Sequence, residues 1–404
     1  MKKLVIAAAM AAAWVAPLTG AQPASEPPPA ARTAAEGNAE FGVALYRKVA
    51  ERPGNVFLSP ISIVGAFGPV SAGAEGETLA EIARALRLPG GAAGHEELGA
   101  MLRGLERERE GVTLSIANAL WVQQGFGLKP AFEKTARKQY DARVEALDFA
   151  RNEQAAARIN GWVKEETRGR IGELINARSL NRDTALVVTN AVYFLGDWAT
   201  AFRTAATANE PFHLPGGETR TVPLMSRQDP FRYFETDEFQ AIDLPYKDER
   251  LSMSLFLPKA RDGLPPFEAG LDAARLREWL GRLDAERPRA VRLHLPKLRI
   301  GETYNLIPPL GEMGIAAAFT PGRADLSGIA DRELFISQVI HKTFLKVDEK
   351  GTEAAAATGI GIQVTSAPPP PPIFRADHPF FLVIRDKASG AILFLGRIVS
   401  PDQA

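Results

Sequence analysis

From residue 352 to residue 364 the chain alternates. Thr352, Ala354, Ala356, Thr358, Ile360, Ile362 and Val364 share one face of an extended strand, and Glu353, Ala355, Ala357, Gly359, Gly361 and Gln363 share the other. One face is small or apolar and the other polar or minimal, which is the period of a strand. Composition argues differently, because Thr352 is a good helix N-cap and alanine is the best helix former. Both readings stay open at this level. The charged lead-in Asp348-Glu-Lys-Gly-Thr-Glu353 lets the segment lie exposed, and the small residues let it fit inside a sheet. A segment able to live in both places implies function by refolding rather than by an active site. Five prolines at residues 368–372 follow and predict a stiff extended arm.

At the other end, Lys2 and Lys3 precede an apolar run over residues 4–16. Thr19 and Ala21 supply small residues ahead of a cut after Ala21. Residues 1–21 read as a secretory signal of bacterial style, too short for a comfortable membrane span. Residues 22–34, rich in Pro and Ala at their start, read as a flexible tail, and residues 35–404 as a single domain. The expected location is secreted or periplasmic, in the extracellular space. Residues 103–110 alternate in sign, the pattern of a solvated face.

Composition narrows the function classes. With 404 residues, 46% hydrophobic and 24% charged, the chain is globular with ample material for a large core. The formal net charge is zero and no basic patch stands out, so no nucleic-acid partner is expected. The absence of cysteine excludes disulfides, thiolate catalysis and Cys-ligated metals. No Gly-x-Ser-x-Gly elbow, His-Glu-x-x-His pair or Walker loop occurs, and the five histidines lack metal-ligand spacing. Neither an enzyme nor a metal or cofactor is expected.

Two blocks carry a family resemblance. Glu349-Lys-Gly-Thr-Glu-Ala-Ala-Ala-Ala-Thr358 resembles the reactive-loop hinge of the serpins, and Phe374-Arg-Ala-Asp-His-Pro-Phe-Phe-Leu-Val-Ile384 resembles their C-terminal signature. Further matches follow in family order. Asn55-Val-Phe-Leu-Ser-Pro-Ile-Ser-Ile63 is similar to the second helix. Asn118-Ala-Leu-Trp121 and Thr189-Asn-Ala-Val-Tyr-Phe-Leu-Gly-Asp-Trp198 are similar to strands of the main sheet. Ile159-Asn-Gly-Trp-Val163 resembles the helix lying across that sheet, and His294-Leu-Pro-Lys-Leu298 and Val339-Ile-His-Lys342 complete the order.

The resemblance implies an α+β serpin fold: a large central sheet, two smaller sheets, eight or nine helices and an exposed reactive loop at about residues 349–372. It implies suicide inhibition of serine proteases, and of some cysteine proteases, by a monomer without a transmembrane segment. The loop is cut, the protease is acylated, and the freed half inserts into the main sheet. Glu349, Lys350, Gly351, Thr352, Glu353, Ala354, Ala355, Ala356, Ala357 and Thr358 are the implied hinge. Ser59, Ser62, Asn190 and His341 match the shutter, a polar cluster where the sheet opens, with a satisfied core network as the alternative reading. Trp198, Lys297 and Glu349 match the breach, where the loop enters. Counting from Glu349 puts the reactive bond at Thr365–Ser366, with Val364–Thr365 as the alternative. No Lys or Arg lies between Lys350 and Arg375, no aromatic residue lies between Thr352 and Ile373, and Val364 and Thr365 are β-branched, which together point to elastase-like or subtilisin-like targets. The alternatives are a non-inhibitory serpin that binds or assists folding and, outside the family, a periplasmic ligand-binding protein.

Overall fold

Thr33 caps the first helix, α1 (Ala34–Val49). Its hydroxyl accepts from the Glu36 N–H while the Glu36 carboxylate accepts from the Thr33 N–H. The computed structural model describes residues 33–403 except 90, 106, 108 and 351–369. The helices that follow are α2 (Pro60–Gly73), α3 (Gly76–Ala85), α4 (Gly91–Leu105), α5 (Pro130–Tyr140), α6 (Asn152–Glu166), α7 (Leu264–Ala269), α8 (Ala273–Ala285) and α9 (Ile307–Glu312). The first strands are β1 (Val56–Leu58), β2 (Val112–Gln123), β3 (Arg143–Leu147), β4 (Leu186–Gly196), β5 (Ala208–His213), β6 (Thr219–Glu235), β7 (Phe239–Pro245) and β8 (Leu251–Pro258). The rest are β9 (Arg289–Pro296), β10 (Leu298–Asn305), β11 (Ile336–Val347), β12 (Ile373–Arg375), β13 (Phe380–Asp386), β14 (Ile392–Ile398) and β15 (Asp402–Gln403).

The main sheet has six strands in the order β15-β10-β11-β4-β2-β3. Nine strands form the other sheet, along β1-β14-β13-β8-β7-β6-β9-β12, with β5 on β6. The two smaller sheets expected from the resemblance are thus joined, because the long strand β6 serves both. Residues 219–231 of β6 pair with β5 and β9, and residues 232–235 with β7. The α+β architecture stands as expected.

The main sheet is buried on both faces, so β4 reads as a nearly continuous apolar run. Strand alternation sorts its residues. Leu186, Val188, Val192 and Phe194 enter the large core with α2, whereas Val187 and Ala191 enter a second core under α6 with Ile159, Trp162 and Val163. Helix α2 is buried nearly all round, which is where a helix without a polar face must sit. Gly68 lets α5 approach it, since a Cβ there would lie 2.3 Å from the Tyr140 ring.

At the middle of the main sheet β11 and β4 run parallel, register-paired from Ile336↔Leu186 to Leu345↔Phe194. Their outer partners, β10 and β2, are antiparallel to them. The seam between β11 and β4 is therefore a parallel joint between two antiparallel pairs.

Candidate functional site

Register builds a polar row across that seam. Tyr304 of β10 pairs with His341 of β11, His341 with Asn190 of β4, and Asn190 with Asn118 of β2. All four lie on the face covered by α2, because each occupies the alternate position that enters the large core. Asn190 Nδ2 donates to Asn118 Oδ1 at 2.5 Å, to the Ser62 carbonyl at 3.2 Å and to Ser62 Oγ. His341 Nδ1 donates to Asn190 Oδ1, and His341 Nε2 accepts from the Ser59 backbone N–H at 3.1 Å. The His341–Asn190 bond spans the seam itself. An amide with two hydrogens facing three acceptors can exchange partners within this network.

All four shutter candidates meet here. Ser59 takes part through its backbone, and its buried Oγ has no hydrogen-bond partner among the described residues. Asn118 and Tyr304 were not singled out from the sequence as members of this cluster. The available signal for Asn118 was an Asn, a poor strand former, inside an otherwise apolar strand. For Tyr304 only the register reveals it: the ring stacks on His341 at 5.9 Å and its hydroxyl accepts from the Phe57 N–H at 3.0 Å.

Full burial lowers the His341 pKa to about 3, and the bonds above need the neutral ring with Nδ1 protonated. The unfolded chain takes up this proton near pH 6.5. Stability from the neutral ring is therefore complete above that value, declines as pH falls through it, and is lost down to the folded pKa. Between neutral pH and pH ~5 the loss is about 2 kcal/mol. In urea titrations at the two pH values the first unfolding transition is expected to shift by that amount, and His341→Asn to lose most of the shift. An equal shift in the variant would assign the acid sensitivity to other groups.

At the end of β11 a second cluster holds Asp348 and Glu349. Lys297 Nζ lies 2.8 Å from Glu349 Oε2, and Thr207 Oγ1 donates to Glu349 Oε1 at 2.8 Å. Trp198 Nε1 donates to the Asp348 carbonyl at 3.1 Å, and the Phe202 N–H donates to the Glu349 carbonyl at 3.1 Å. Burial opposes ionisation of Glu349, but the bonds from Lys297 and Thr207 prevail and hold its pKa below the usual carboxylate value. The three breach candidates thus converge. Thr207 and Phe202 join them without having been marked by any sequence pattern.

Beyond the loop, β12 pairs parallel with β9, and Gln240 Nε2 donates to the Ile373 carbonyl at 3.0 Å. Arg375 pairs with Glu210 and, at 3.0 Å, with Asp377. The described residues just before 351 are thus held at the main sheet, and those just after 369 at the nine-stranded sheet. The hinge residues Gly351, Thr352, Glu353, Ala354, Ala355, Ala356, Ala357 and Thr358, and the bond candidates Val364, Thr365 and Ser366, lie outside the described residues.

A family model described as serpin (serine protease inhibitor) matches residues 36–401. The chain belongs to the serpin family. An uncharacterised serpin-like protein of Thermococcus kodakarensis is 40% identical over 374 residues, covering 89% of this chain and 84% of its own length. The leukocyte elastase inhibitors of Sus scrofa and Homo sapiens are 37% and 35% identical, each over 90% of this serpin and 98% of their own length. Among solved structures, uncleaved ovalbumin superposes with a TM-score of 0.86 at 29% identity, over 92% of this chain and 100% of its own. A highly specific serpin of the insect Tenebrio molitor gives 0.79 at 31% identity, over 91% and 97%. The family and these relatives support serine protease inhibition in general, and not catalysis.

The expectation of export is corrected by the same relatives. Leukocyte elastase inhibitors are intracellular serpins. The residues that suggested a signal, 1–21, lie outside the described residues. A secreted or periplasmic location is not carried forward. Among the described residues no helix is long and apolar enough to cross a membrane.

Proposed function

We propose that this serpin traps serine proteases by offering residues 349–372 as bait and inserting the cleaved N-terminal half between β11 and β4. The parallel β11–β4 seam carries this reading. A chain that leaves β11 and folds back runs antiparallel to both seam strands, so insertion replaces a parallel joint with an unbroken antiparallel array from β10 to β2. Two ladders form where one is lost. A net gain of roughly ten backbone bonds at ~0.5–1 kcal/mol each gives about 5–10 kcal/mol to drive insertion. The uncleaved form is then held by kinetics, and the His341–Asn190 bond and the seating of Glu349 are the contacts that must break first.

Small side chains suit the path. Thr352, Ala354, Ala356 and Thr358 alternate toward the sheet interior without bulk or charge. Gly359 and Gly361 weaken a strand but fall after the part that enters first.

At the reactive bond Thr365 offers no positive charge to an acidic primary pocket and does not fill a deep aromatic slot. Elastase-like and subtilisin-like enzymes are the proposed targets, a choice supported by the elastase inhibitors among the relatives. Incubation with a protease panel, followed by denaturing gels and mass analysis of the released C-terminal peptide, tests the reading. The wild type is expected to form bands that survive denaturation with elastase-like or subtilisin-like enzymes and hardly any with trypsin. Thr365→Arg is expected to shift trapping toward trypsin, because the change lies at the far end of the inserted strand. Cleavage outside residues 363–366 would show that the bond lies elsewhere in the loop. Cleavage without any trapped protease would favour a non-inhibitory serpin.

A further inference from the structure

Arg227 of β6 carries a largely buried side chain that has no place in the mechanism above. Only 9% of its side chain is exposed. Its guanidinium carbon lies 4.8 Å from the ring centre of Phe202 and 4.8 Å from that of Phe231. One terminal nitrogen donates to the Thr200 carbonyl, Asp229 approaches to 3.8 Å, and the buried Nε has no hydrogen-bond partner among the described residues. Burial pulls its pKa down to about 10, so the group stays charged at neutral pH in a site that disfavours charge.

What this arginine grips is the connection between β4 and β5. Phe202 packs edge-on to Trp198 at 6.3 Å, and Trp198 stacks on Tyr246 at 4.8 Å. The same connection holds the root of the loop by three bonds: Trp198 to the Asp348 carbonyl, the Phe202 N–H to the Glu349 carbonyl, and Thr207 to the Glu349 carboxylate. Residues 198–207 are therefore fastened to β6 on one side and to the end of β11 on the other.

We propose that Arg227 is a positioning residue which clamps residues 198–207 against β6 and thereby sets how readily Glu349 leaves its seat and the seam between β11 and β4 opens. The consequence for trapping rests on the inhibitory reading above, and the clamp itself does not. A flat cation is required, because it stacks on two rings while donating to Thr200 from its edge. A lysine ammonium cannot do both.

Hydrogen exchange read by mass spectrometry tests the clamp on intact wild type, Arg227→Met, Arg227→Lys and Phe202→Leu. In all three variants amides within residues 198–207 and 345–350 are expected to exchange about fivefold faster or more, while α1 and β13 keep their wild-type rates. The variants should also lose trapping capacity on storage sooner than wild type, as the intact protein converts to an inserted form. Unchanged exchange in both segments, an increase spread evenly over the molecule, or full rescue by lysine would overturn the proposal. Should Arg227→Met fail to fold, Phe202→Leu keeps an apolar side chain and is read by the same criteria. Absence of trapping by wild type would sink the inhibitory reading alone, since the exchange pattern reports on the clamp whether or not a protease is captured.

Discussion

A Thr352→Arg variant is expected to be cut at the wild-type bond and then to release its protease. Thr352 stands first on the alternating face that would enter the seam. Insertion of the variant strand would carry a guanidinium between β11 and β4, on a sheet whose two faces are both packed, at a cost of several kcal/mol. That cost is a large part of the ~5–10 kcal/mol available from the new ladder. Insertion slows, and the acylated protease hydrolyses its bond before it is distorted. On denaturing gels the covalent band should vanish while the cleaved inhibitor accumulates. Trapping with unchanged stoichiometry would rule out insertion along this face.

Cutting the loop without trapping is the complementary experiment. Once nicked, the protein is expected to gain the full antiparallel array and to melt well above the intact form. Unfolding entropy scales with chain length, so for a unit of this size each kcal/mol moves the melting temperature by roughly 1–2 °C. The ladder alone then accounts for a rise of about 10 °C, and burial of Ile360, Ile362 and Val364 adds to it. Calorimetry of intact and nicked protein decides the matter. Equal melting temperatures would mean that no strand enters the seam, which favours the non-inhibitory alternative.

Much of the architecture was legible along the chain. The order of motifs from Asn55 to Ile384 led to the α+β fold with its long-range sheet, and the structure groups Trp198 and Lys297 around Asp348 and Glu349, and Ser59, Ser62, Asn190 and His341 into one hydrogen-bonded cluster. Local signals work because they report one chain segment at a time: a capping pattern opens α1, and alternation tells which residues of β4 share a face. The same logic failed at the N-terminus, where a basic pair and an apolar run suggested an export that the relatives do not support.

By itself the sequence determined the family, the small or apolar, uncharged face of residues 352–364 and the absence of cysteine chemistry, because these are properties of residue order and side-chain type. Only the tertiary structure decided which strands became neighbours. Tyr304, His341, Asn190 and Asn118 form one row because four strands far apart in the chain pair in a particular register. A slip of one residue would turn each of them to the opposite face. The parallel seam between β11 and β4 and the grip of Arg227 on Phe202 are likewise products of that packing. No local periodicity encodes which distant segment will lie across the sheet.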